Sequence, residues 1–180
     1  MKHRKLRRMG ILVLVLVLLF NTLGARASTE EPTVIVDSYG ALYTAITDAK
    51  SGDVIGVKGI ITIPAIVTLD AGFGHITIKR MEPDSKIIIS GDYGDENKAT
   101  LDGFTFDGNA TEIGGIEPFI EVAGNSYFRM CDFYDCLSEG KNGGAVYISS
   151  GKVEIGGCYF EDNSAYNGSH IYNTGVLNVD

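Results

Sequence analysis

Three kinds of side chain in this sequence have the types and spacing to do chemistry. Arg129, Asp132 and Asp135 put one guanidinium and two carboxylates within seven consecutive residues, which makes them the candidate catalytic group. A weakly constrained surface ion pair accounts for Arg129 without any catalysis. Inverting glycosidases need two carboxylates about 6.5–9.5 Å apart, and many pairs in this acidic chain could meet that condition, so carboxylate proximity assigns nothing by itself. Asp92, Asp95 and Glu96 crowd one loop and are the candidate calcium ligands. They lack the alternating ligands and distal glutamate of an EF-hand, and a solvated acidic loop is the simpler reading. Cys131, Cys136 and Cys158 complete the set. An odd count leaves at least one thiol unpaired within the molecule. With no Cys-x-x-Cys and only three histidines, a structural zinc site has too few ligands. Calcium aside, no cofactor is expected.

Charge and leader composition narrow the partners. Residues 1–27 read as a secretory signal: a basic start (Lys2, Arg4, Lys5, Arg7, Arg8), an unbroken apolar run from Ile11 to Phe20, and Ala25-Arg26-Ala27 as the cleavage pattern. The run is shorter than the roughly 20 residues a transmembrane helix requires, and no second apolar stretch suggests a span, so a secreted or cell-surface protein is expected. Cleavage removes six basic residues and no acidic ones from a chain of net charge −8, leaving −14. Such a charge disfavours nucleic acid and polyanionic ligands. The remaining 153 residues are enough for one core and one domain.

The elements that position these residues are short. Val34-Ile35-Val36 reads as a strand, and Asp37-Ser38 caps a helix from about Tyr39 to Lys50 whose Leu42, Ala45, Ile46 and Ala49 share a face. Beyond Ser51-Gly52-Asp53 the helical period disappears. Short β-branched runs between Gly, Asp and Asn turns replace it: Val54 to Val57, Ile60 to Ile63, Ile76 to Ile78 and Ile87 to Ile89. The second half then repeats itself at an offset of 27 residues, which superposes Phe106, Phe133 and Phe160; Phe104, Cys131 and Cys158; and Asn109, Cys136 and Asn163. A second series follows each copy: Gly114-Gly115-Ile116, Gly143-Gly144-Ala145-Val146 and Gly168-Ser169-His170-Ile171.

A fixed period of this length marks a solenoid. Equivalent positions then lie about 4.8 Å apart on neighbouring strands. The expected fold is all-β, a right-handed parallel β-helix, with residues 28–53 as an N-terminal strand and capping helix and 54–180 as its rungs. Phenylalanines stack inside, and inward asparagines satisfy backbone groups where the chain turns. Asp135 and Asp162 share a repeat position, which explains their proximity without chemistry. Cys131 and Cys158 come within the Cα range of a disulfide, but parallel side chains make the torsion awkward, and buried thiols filling the column are preferred. Val176 to Asp180 repeats the start of Val153-Glu154-Ile155, so the winding stops mid-turn; truncation, further repeats or a partner chain would account for that end. Asn109-Ala110-Thr111 and Asn167-Gly168-Ser169 are glycosylation sequons in a eukaryotic host.

Gly143-Gly144-Ala145-Val146 with Phe160-Glu161-Asp162-Asn163, and Phe106-Asp107-Gly108-Asn109, resemble the paired GGA-[ILV] and F-x-x-N repeats of polymorphic outer-membrane proteins. Residues 34–180 more widely resemble pectate-lyase-like right-handed β-helices. The first resemblance implies a non-catalytic surface adhesin that binds carbohydrate or a host or cell-surface protein. The second implies a polysaccharide lyase or hydrolase, in which clustered aspartates hold calcium and an arginine acts as base; Arg129 would then be that base, with Asp132 and Asp135 beside it. Gly168-Ser169-His170 departs from the Gly-Gly-Ala form, and the Asn-Thr-Asp and Gly-His-Gly signatures of polygalacturonases are absent. Binding is therefore the leading expectation and catalysis the alternative.

Overall fold

The computed structural model describes residues 30–64, 66–72, 75–91 and 98–180. The expected leader, and the acidic loop holding Asp92, Asp95 and Glu96, lie outside the described residues.

The chain opens with β1 (Val34–Val36) and α1 (Tyr39–Asp48), then winds. Successive circuits are β2 (Val54–Val57), β3 (Ile60–Pro64) and β4 (Thr68–Asp70); then β5 (Ile76–Arg80), β6 (Lys86–Gly91) and β7 (Ala99–Asp102); then β8 (Phe104–Asp107), the single turn α2 (Ala110–Ile113), β9 (Ile120–Gly124) and β10 (Ser126–Arg129). The next holds β11 (Asp132–Tyr134), β12 (Leu137–Asn142), β13 (Val146–Ser150) and β14 (Lys152–Gly156). The last holds β15 (Tyr159–Glu161), β16 (Ser164–Asn167), β17 (Ile171–Asn173) and β18 (Val176–Val179). Each strand pairs with its counterpart one circuit away, giving parallel sheets β1-β2-β5-β8-β11-β15, β4-β7-β10-β14-β18 and β3-β6-β9-β13-β17, with β12-β16 as a small fourth. This is the parallel β-helix that the repeat implies.

Stacking follows from register. Phe133 stands opposite both Phe106 and Phe160. The ring centroids are 5.0 Å and 4.6 Å apart, with planes within 15° and 5° of parallel. Leu69, Leu101, Phe128, Ile155 and Val179 align in the same way on a second sheet. In most strands of the three large sheets alternate residues point inward, and their apolar side chains form one continuous core. The asparagines do what the turns require: Asn163 accepts a hydrogen bond from the Cys136 amide at 2.9 Å through Oδ1 and donates one to the Phe133 carbonyl at 3.0 Å through Nδ2. Asn109 Nδ2 donates to the Arg80 carbonyl at 3.2 Å.

Helix α1 stands at the first rung. The Ser38 hydroxyl accepts a hydrogen bond from the Ala41 amide at 3.4 Å. Leu42 and Ile46 are buried, with Ala45 and Ala49 packed beside them. The helix ends at Asp48 rather than Lys50 because Ala49 is already extended.

One alignment expected from the sequence is wrong. Val146 pairs with Ile171, as the second series requires, but its partner in the preceding circuit is Ile120, not Ile116. Ile116 is exposed, and Gly115 instead accepts a hydrogen bond from the Glu139 amide at 2.9 Å. The physical reason is length: residues 108–119 connect β8 to β9 through α2, a longer path than residues 162–170 between β15 and β17, so the glycines arrive too early to stack.

That connection is anchored by charge. Lys86 Nζ lies 3.4 Å from the Glu117 carboxylate and 2.8 Å from that of Glu121, and Lys141 bridges Glu117 from the following circuit. Partial burial alone would push the Glu117 pKa up, but the Lys141 hydrogen bond and the charges of Lys86 and Lys141 outweigh it, leaving the carboxyl below its ordinary 4.5. A carboxylate depressed in the folded state adds stability above its unfolded pKa and loses it as pH falls through the folded one. Urea midpoints are therefore expected to drop on acidification below about 4.5, and Glu117→Gln to flatten that dependence by about 0.2–1 kcal/mol. An unchanged pH profile in Glu117→Gln would remove the carboxylate from the account.

Candidate functional site

Three strands of the second sheet end in charged residues, and the next ends in glycine. Asp70, Asp102, Arg129 and Gly156 occupy the same register position on β4, β7, β10 and β14. Each follows an inward residue (Leu69, Leu101, Phe128, Ile155), so by the strand period each faces outward. The chain turns a corner just beyond them, where Gly103, Met130 and Gly157 all have positive φ, of 74°, 52° and 62°. Met130 holds a conformation that L-residues rarely adopt, and its side chain is exposed.

Row and corner border a lateral cleft of about 760 Å³, lined by Asp70, His75, Asp102, Tyr127, Arg129 and Gly156 among others. Ligand clefts fall in this size range. Arg129 Nε donates to Asp102 Oδ2 at 2.8 Å, and Nη2 of the same guanidinium reaches the same oxygen. The Asp102 side chain is mostly buried while that of Arg129 is more than half exposed, so the carboxylate anchors and the guanidinium presents. Asp70 Oδ1 accepts from the Gly72 amide at 2.7 Å, which fixes the carboxylate on the rung before. Tyr127 forms the wall. Lys98 Nζ sits 4.8 Å from its ring centroid and also pairs with Glu154, while Lys152 meets Glu154 at 3.3 Å. A side chain at position 156 would run into the Tyr127 hydroxyl and ring, so glycine is what lets the tyrosine lie across the row.

The three residues singled out in the sequence do not converge. Arg129 joins Asp102 instead of Asp132 or Asp135. Asp132 opens β11 on the far side of the Met130 corner, between Thr105 and Tyr159 of the neighbouring strands. Asp135 is engaged one corner further on, where its two carboxylate oxygens accept from the Thr111 amide and hydroxyl, both at 2.9 Å. Asp135 and Asp162 share a corner position with φ of 48° and 54°, as stacked turn residues do. The hydrogen bond and charge of Asp102 raise the Arg129 pKa above its usual value. A base must shed its proton, and this pairing opposes that. Among the described residues, no three His, Cys, Asp or Glu side chains gather as a metal site would require.

Asp102 was missed in the sequence, although it lies 27 residues before Arg129. Opposite charges at one repeat position were the available signal. No family model, no curated protein and no solved structure matches the chain.

Proposed function

We propose that the chain is a non-catalytic secreted or cell-surface β-helix that binds neutral glycans in the lateral cleft. The reading is carried by the in-register row Asp70, Asp102, Arg129 and Gly156 along that cleft. It offers fixed acceptors from two carboxylates and donors from one guanidinium, spaced by single rungs and bounded by an aromatic wall. Sugar hydroxyls both donate and accept, and this alternation suits them. A mature charge of −14 and carboxylates in the cleft itself disfavour acidic glycans. Export rests on the leader-like composition of residues 1–27, and adhesion on the resemblance of the Gly-Gly-Ala and Phe-x-x-Asn repeats to surface adhesins.

The test is titration of the full protein with a panel of soluble neutral and acidic oligosaccharides. A neutral oligosaccharide is expected to bind, and Arg129→Ala to weaken it roughly tenfold or more, as loss of a charge-assisted hydrogen bond does. Release of shortened products from pectins or related glycans, with calcium and lost in Arg129→Ala, would overturn the non-catalytic reading.

A further inference from the structure

We propose that Met130 is a ligand-contacting residue of the lateral cleft, its thioether chain lying on the C–H face of a sugar ring whose hydroxyls bond to Asp102 and Arg129. This rests on the glycan reading and adds to it the residue that supplies apolar contact.

The backbone at Met130 is one that favours glycine. Gly103, Met130 and Gly157 follow Asp102, Arg129 and Gly156, which are aligned in register, so the three stand at one corner of successive circuits. That corner makes the same hydrogen bond with or without a side chain: the Gly103 amide donates to the Arg129 carbonyl and the Met130 amide to the Gly156 carbonyl, both at 2.9 Å. Positive φ is cheap for glycine and costly for a residue with a Cβ. Among the described residues, the other non-glycines with positive φ are His75, Asn109, Asp135 and Asp162. Those are the residue types enriched in this conformation. Methionine lacks the short polar side chain whose local hydrogen bonds help asparagine and aspartate there.

Packing does not offset that cost. Met130 is 64% exposed. Equivalent corners stand on both sides of it, so this exposure is lateral and does not come from the end of the winding. The following rung is cleared for it instead: a Cβ at Gly157 would lie 2.7 Å from Met130 Sδ, just as one at Gly156 would strike Tyr127. Two successive glycines thus leave room for the tyrosine and the methionine of the rung below, and both line the cleft. Strained backbone of this kind clusters at ligand clamps and active sites. A sugar ring presents hydroxyls at its edge and C–H groups on its face. Asp102 and Arg129 serve the first, and the flexible, polarisable thioether serves the second.

Titration of the native full chain with cellohexaose, xylohexaose and mannohexaose, together with urea unfolding, tests this. Met130→Gly is expected to unfold at the same or a higher urea concentration than the wild-type chain, yet to bind the tightest of the three roughly tenfold more weakly. Met130→Leu keeps an apolar chain of similar volume at the corner and is expected to bind within about twofold of wild type. A lower urea midpoint in Met130→Gly would make the methionine a packing residue and overturn the proposal. Unchanged binding in Met130→Gly, with Arg129→Ala still weakening it, would remove Met130 from a glycan site that stands. If the wild-type chain binds none of the three, the glycan reading falls and this contact with it.

Discussion

Phe133→Ala is expected to lower the free energy of unfolding by about 3–5 kcal/mol, the range for removing a buried aromatic ring. The ring lies between Phe106 and Phe160 and meets the edge of Phe128 at a centroid distance of 5.7 Å. Each such pair adds about 0.5–1.5 kcal/mol beyond burial. Collapse around alanine is prevented because β11 is hydrogen-bonded in register on both sides, to β8 and to β15. Phe160→Ala should cost less, since Phe160 is only partly buried. Urea denaturation at constant slope measures both. If Phe160→Ala proved the more damaging, the column would not be the axis of the fold.

Arg80→Ala is expected to be as severe, about 3–5 kcal/mol, by a different route. Arg80 is fully buried. Its guanidinium donates to the Leu137 carbonyl at 3.1 Å and the Glu117 carbonyl at 2.9 Å, and lies 4.8 Å from the centre of the Phe119 ring. Burial lowers its pKa, with the nearby Cys136 and Glu117 acting against that. Alanine would leave both carbonyls without this donor, at about 1–3 kcal/mol each, and open a cavity besides. Arg80→Lys should recover only part, because an ammonium cannot reproduce the flat two-pronged contact. Gly115 makes the arrangement possible, since a side chain there would strike both the guanidinium and the Leu137 carbonyl. Hydrogen exchange should rise around residues 115–120 and 137–142 in Arg80→Ala. A loss below about 1 kcal/mol with unchanged exchange would mean that the connections hold themselves in place.

The column of Phe106, Phe133 and Phe160 was legible because side chains on equivalent strand positions must fill the same space, so the period appears directly as residue type. The asparagine turns were legible for the same reason. Asp70 was not: it aligns with Asp102 across 32 residues rather than 27, because residues 71–75 and 92–98 separate strands of that circuit where the next circuit has only residues 103 and 125. The mistaken alignment of Gly114-Gly115-Ile116 has the same origin in a connection of different length. Arg80 escaped notice because its partners are backbone carbonyls 37 and 57 residues away, which no pattern of side chains announces. Local spacing reports what stacks, and it is silent on contacts made across the winding.

Residues 108–119, 135–145 and 162–170 join equivalent strands through paths of unequal length, yet the strands on either side keep their phase. This corner of the coil therefore tolerates length change between strands, whereas a residue added inside a strand must be taken up as a bulge, as in β13 between Ile148 and Ser150, if the interior side chains are to stay inward. That corner is where foreign peptide could be grafted for display. It is also where related chains would diverge first.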